Sequence, residues 1–183
     1  MRVRKIKFFA LGLTLLLRLA DLSSPAQTAS PSEYQLKAAF IYNFAKFIDW
    51  PAEAFKDDRS PFIIGILGDD PFGNNLERTV AGKMINTHPI TIQNFREAGD
   101  ATKCHLLFIS NSKKEQLPEI IKKLHGATVL TVGETERFVE TGGMINFVNE
   151  DKKVRFQIND DATKAAKLKL SSKLLSLALP SRR

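Results

Sequence analysis

Phe62-Ile63-Ile64-Gly65-Ile66-Leu67-Gly68-Asp69-Asp70-Pro71-Phe72-Gly73 joins an almost unbroken apolar run to a turn, and a helical stretch from Asn74 to Val80 follows. An apolar run without polar alternation predicts a strand covered on both faces, as in the centre of a parallel sheet. His105 to Ile109 has the same character, and Ile90 to Ile92 reads as a strand between the two. Glu115 to Leu124 is an amphipathic helix with Gly126 in the C-cap region, and Thr128 to Val132 is the next strand. The connections have the length of strand–helix–strand crossovers. The fold class they predict is α/β, a single-domain three-layer α/β/α sandwich around a mostly parallel sheet.

Further along, Met144 to Val148 and Val154 to Ile158 read as two strands joined by the polar link 149–153, a C-terminal hairpin at the sheet edge. Val154, Phe156 and Ile158 alternate with Arg155, Gln157 and Asn159, so one face is buried and the other meets water or a ligand. A last helix is predicted from Asp161 to Leu179, with Lys164, Lys167 and Lys173 off its apolar face. Upstream, Ser32 and Gln35 have the spacing of a capping box and open a helix. Phe40, Ile41, Phe44, Phe47 and Ile48 give it one apolar stripe, and Pro51 is read as its stop. Trp50, at its end, suits either a core plug or an interface anchor.

The first 26 residues have the character of a secretory signal. Arg2, Arg4, Lys5 and Lys7 precede the apolar run Phe8 to Leu17, and Ser24-Pro25-Ala26 supplies small residues at the cleavage spacing. Such a run is shorter than the ~20 apolar residues of a stable anchor. Arg18 fits that pattern poorly and leaves an uncleaved interfacial anchor as the alternative. The predicted organisation is a leader over 1–26, a short tether over 27–31 and one domain over 32–180, located outside the cytoplasm. The leader carries five bases against the single acid Asp21, so its removal lowers the formal charge from +7 to +3. The remaining bases are spread among acids, which speaks against nucleic-acid binding. Cys104 is the only cysteine and excludes an intrachain disulfide.

The turn Gly68 to Gly73 stands where parallel sheets bind ligands, at the carboxyl end of a strand and leading into a helix. Asp69 and Asp70 there could hold magnesium for phosphoryl transfer. Against that, the third strand ends in Ser110-Asn111 without a phosphoacceptor aspartate, and Val132 is followed by Gly133-Glu134 with no lysine. An ordinary turn and helix cap is the simpler reading. Cys104 and His105 are neighbours on a strand and point to opposite faces, so they do not form a nucleophile–base pair. His88, His105 and His125 lack metal-ligand spacing, and no cofactor is implied.

Several segments in order resemble the YfiR family of periplasmic proteins. They are Lys37 to Phe47 closing on Trp50-Pro51, Gly68 to Gly73, Cys104 to Ser110, Leu130 to Gly133, Gly142 to Ile145, Val154 to Asn159 and Leu168 to Leu175. The resemblance implies a three-layer α/β fold, a tendency to dimerise and no enzymatic activity. It also implies a repressor that binds the periplasmic domain of an inner-membrane diguanylate cyclase, with an outer-membrane lipoprotein able to sequester it. Cyclic-di-GMP signalling and biofilm formation would then follow release. Some family members carry a second cysteine on the first strand, where Gly65 stands, and another pair where Val139 and Asn146 stand; Cys104 alone puts redox control by such bridges in doubt.

The leading expectation is therefore a partner-binding regulator with Tyr42, Phe47, Trp50 and Lys173 as its contact residues. The alternative is a small-ligand module with no cyclase partner, using Asp69, Asp70, Arg155, Gln157 and Lys169.

Overall fold

Ser32 opens the first helix as its spacing predicts. Its side chain accepts from the Gln35 amide at 3.3 Å, while its own amide donates to the Gln35 side chain at 2.7 Å. The computed structural model describes residues 32–180; the predicted leader and tether lie outside them.

The elements run α1 (Glu33–Lys46), β1 (Ile48–Asp49), β2 (Phe62–Leu67), α2 (Asn75–Val80), β3 (Met84–Ile85), β4 (His88–Phe95), β5 (Leu106–Ile109), α3 (Leu117–Leu124) and β6 (Leu130–Gly133). They continue with β7 (Ile145–Glu150), β8 (Lys153–Ile158), α4 (Asp160–Ala165), β9 (Lys169–Leu170) and α5 (Ser172–Leu177). A 7-stranded sheet has the order β3-β4-β2-β5-β6-β7-β8. The five strands from β4 to β7 are parallel, and β3 and β8 join antiparallel at the edges.

Two cores sandwich this sheet. Ile41 and Phe44 of α1 and Leu76 of α2 pack on Ile64, Phe108, Val132 and Phe147 from one side. Leu117, Ile120 and Leu124 of α3 pack on Leu107 and Ile109 from the other. Thus the crossover after β2 covers one face and the one after β5 covers the opposite face. The chain reverses its winding between β2 and β5, and ligands in open α/β sheets bind beside such a reversal, at the carboxyl ends of the strands. The three-layer α/β reading holds, as does the antiparallel hairpin at the edge.

The predicted final helix from Asp161 to Leu179 does not exist. Lys167 takes φ +61 and ends α4, and β9 then pairs antiparallel with β1, Ile48 opposite Leu170. Ser171 caps the separate helix α5 by accepting from the Leu174 amide at 3.2 Å. Burial of Leu168 in the core on the α1 side of the sheet outweighs helical continuity. Likewise α1 stops at Lys46, before Pro51, because Ile48 and Asp49 are drawn into that ribbon. No helix among the described residues is long and apolar enough to cross a membrane.

Candidate functional site

Lys37 occupies the buried stripe of α1, four residues before Ile41, and is only 4% exposed. A lone ammonium there would carry a large desolvation penalty. Two carboxylates offset it: Glu33 one turn earlier and Glu134, whose Oε2 lies 2.6 Å from Lys37 Nζ. Tyr34 donates its hydroxyl to Glu134 at 3.2 Å, and the Lys37 ammonium sits 4.8 Å from the Tyr34 ring centroid. Burial works against the charge on Lys37, but the hydrogen bonds and charges of Glu134 and Glu33 outweigh it and raise its pKa. Lys37 is therefore a fixed cation and not an amine nucleophile. Its ammonium in turn holds Glu33 below the usual carboxylate range, against a smaller opposing effect of burial.

Glu134 reaches α1 because of how the chain leaves β6. The Phe138 ring fills the space beside two glycines: a Cβ on Gly133 would lie 2.3 Å from it and one on Gly143 2.2 Å. This close approach folds the 134–143 loop onto the sheet end, and Glu134 is its first residue. Between the loop, β7 and the first turn of α1 lies an open cleft of about 400 Å³. Its walls include Glu33, Lys37, Asn111, Glu134, Glu136 and Asn146. Thr135 and Asn146 also line it, 8% and 4% exposed, and Thr135 Oγ1 and Asn146 Oδ1 are buried without hydrogen-bond partners.

The residues singled out for ligand binding do not converge. Asp70 Oδ1 accepts from the Phe72 amide at 2.7 Å and the Asp69 amide donates to Ser112 Oγ at 2.9 Å, the bonds of a turn and helix entry. Arg155 and Gln157 lie on β8, four strands from β2, or about 19 Å at the usual strand spacing. Lys169 stands in the separate β1–β9 ribbon opposite Asp49.

Of the expected partner contacts, Phe47 and Lys173 meet, the ammonium 5.3 Å from the ring centroid. Leu175 and Leu177 of α5 stay 39% and 54% exposed nearby in sequence. Tyr42 lies about 140° around the α1 axis from Phe47, and Lys83 covers its ring at 4.4 Å. Trp50 donates Nε1 to the Ala45 carbonyl at 2.8 Å and sets its ring edge-on to Phe62 at 5.0 Å, leaving it partly exposed.

Cys104 is buried on the α3 side, and burial pushes its thiol up to about 12. A Cβ at Gly65 would lie 3.0 Å from Cys104 Sγ, so position 65 faces this thiol directly. With glycine there, the sulfur is inert. His105 points the other way, stacked on Phe62 at 4.8 Å and Phe55 at 4.6 Å.

Sequence reasoning missed the cleft. Two signals were present: a lysine in phase with an apolar stripe, and a carboxylate directly after a buried parallel strand.

No curated protein matches the chain in sequence. A conserved domain protein from Vibrio cholerae O1 biovar El Tor, known from its crystal structure, superposes with a TM-score of 0.56 at 12% identity. The match covers 80% of this chain and 59% of that one, so this chain spans about three-fifths of its length and shares its fold. The sequence itself matches a family described as YfiR/HmsC-like over residues 34–179, from the helix that carries Lys37 to the segment that closes β8. By that match across the described fold, this chain belongs to the YfiR/HmsC-like family.

Proposed function

We propose that this protein is a periplasmic repressor that binds the periplasmic domain of an inner-membrane diguanylate cyclase and holds it inactive. The observation that carries this reading is family membership over residues 34–179. Repression requires tighter binding to the inactive state of the cyclase than to the active one, since equal affinity shifts no equilibrium. A regulator of this kind needs a surface and no reacting group. The contact surface is centred on Phe47 and Lys173, extends to Leu175 and Leu177, and has Tyr42 and Trp50 on its flanks. Apolar side chains left in water next to a cation give such a contact both area and orientation. The repressor acts as a homodimer, exported by its leader, and an outer-membrane lipoprotein relieves repression by sequestering it.

The test pairs two measurements. The protein should co-purify with the cyclase periplasmic domain, and cells lacking it should contain more cyclic-di-GMP. Lys173→Glu and Leu177→Glu, both at surface positions, should abolish co-purification and leave the unfolding midpoint unchanged. Unaltered cyclic-di-GMP in the deletion strain, or full binding by both variants, would remove respectively the repressor reading and the assigned surface.

A further inference from the structure

The cleft at the carboxyl ends of β5 and β6, walled by β7 from Asn146 onward, has a chemistry that partner binding does not use. Three carboxylates, Glu33, Glu134 and Glu136, face a single cation, Lys37. That cation is already held between Glu33 and Glu134 and stands over the Tyr34 ring, so it has little left to offer an incoming anion. Independently of the carboxylates, Asn146 is 96% buried in the wall with its Oδ1 unpartnered, and Thr135 Oγ1 is buried and unpartnered beside it. A buried polar atom without a partner is destabilising, so a site that keeps two of them gains from whatever pairs them. Rotation of the Asn146 amide about its last torsion presents either its oxygen or its nitrogen to the cleft.

We propose that this cleft binds a small organic cation, a molecule carrying a primary ammonium or guanidinium group. The net negative lining selects positive charge, and several acceptors within one cleft suit a group with several N–H donors. Glu136 and the second oxygen of Glu33 take the charge; Asn146 and Thr135 supply neutral hydrogen bonds deeper in. A cavity of about 400 Å³ suits a diamine, agmatine or an amino acid with a basic side chain. A metal ion fits less well, because no group of three His, Cys, Asp or Glu side chains converges as metal ligands among the described residues. The assignment does not rest on the cyclase.

Calorimetric titration of the purified protein with putrescine, agmatine and L-arginine, and with L-glutamate as the anionic control, tests it. At least one cation should bind saturably at one site per chain and raise the melting temperature, while glutamate does neither. Glu136→Gln, at an exposed position, should fold normally and bind that cation about tenfold more weakly. Glu33→Gln should weaken it as well. Failure of all three cations to bind, equal binding of glutamate, or full affinity in both variants would overturn the proposal.

Discussion

Lys37 stands where the stripe of α1 calls for a hydrophobe, and its cost is met only by carboxylates from elsewhere. Replacing it by methionine keeps the volume but strands Glu134, whose side chain is 12% exposed. Lys37→Met is expected to cost about 3 kcal/mol in urea unfolding, and adding Glu134→Gln should recover part of that loss. A loss below about 1 kcal/mol would mean the pair behaves as a surface ion pair. His105 sets a second expectation. Its Nδ1 accepts from the Ile63 amide at 3.0 Å, its Nε2 is buried without a partner, and burial holds its pKa below the ordinary 6.5. The native state therefore favours the neutral ring. The stability this contributes is complete above pH 6.5 and is lost as pH falls through the lower native value. Melting temperature followed against pH should fall more steeply on the acid side for the natural protein than for His105→Gln. Parallel curves would assign the acid sensitivity to other groups.

Among the elements, the hairpin between β7 and β8 turns on Asp151 and Lys152, both in the left-handed region at φ +50 and +61. That is the geometry of a two-residue turn that favours Asn-Gly or Asp-Gly. Lys152→Gly should stabilise the protein by up to about 1 kcal/mol, measured by thermal or urea unfolding; a loss would show that the lysine contributes more than its backbone strain costs. Elements whose causes are local were legible in the sequence. The capping box fixed the start of α1, and the apolar run fixed both ends of β2. Residues 161–179 failed because their spacing is compatible with a helix, while the interaction that breaks it is the pairing of Leu170 with Ile48, distant in the chain. The cleft was half legible for the same reason. Lys37 could be seen as an anomaly in its stripe, but its partner Glu134 comes close only once β6 is in the sheet.

At the scale of the molecule, each sheet edge is covered over only part of its length. β3 is 2 residues long, and β8 is covered near its end by the C-terminal segment, where the Leu179 amide donates to the Phe156 carbonyl at 2.8 Å. An uncovered strand edge is a template for pairing with another chain. Truncation after Leu177 should therefore leave the core folded but increase self-association, seen as a rise in mass with concentration by light scattering. A mass that stays constant would assign the protection of β8 to its charged side chains.

The ribbon that joins β1 to β9 ties the end of the first helix to a segment near the opposite end of the domain's sequence. Until that late segment has emerged, the aromatic surface around Phe47 has no clasp, and the loop to be closed spans most of the domain. A polypeptide threaded through a narrow translocation pore must stay pliable until it is across. On the proposed export route, the last native fastening can form only after nearly all of the domain has arrived on the far side.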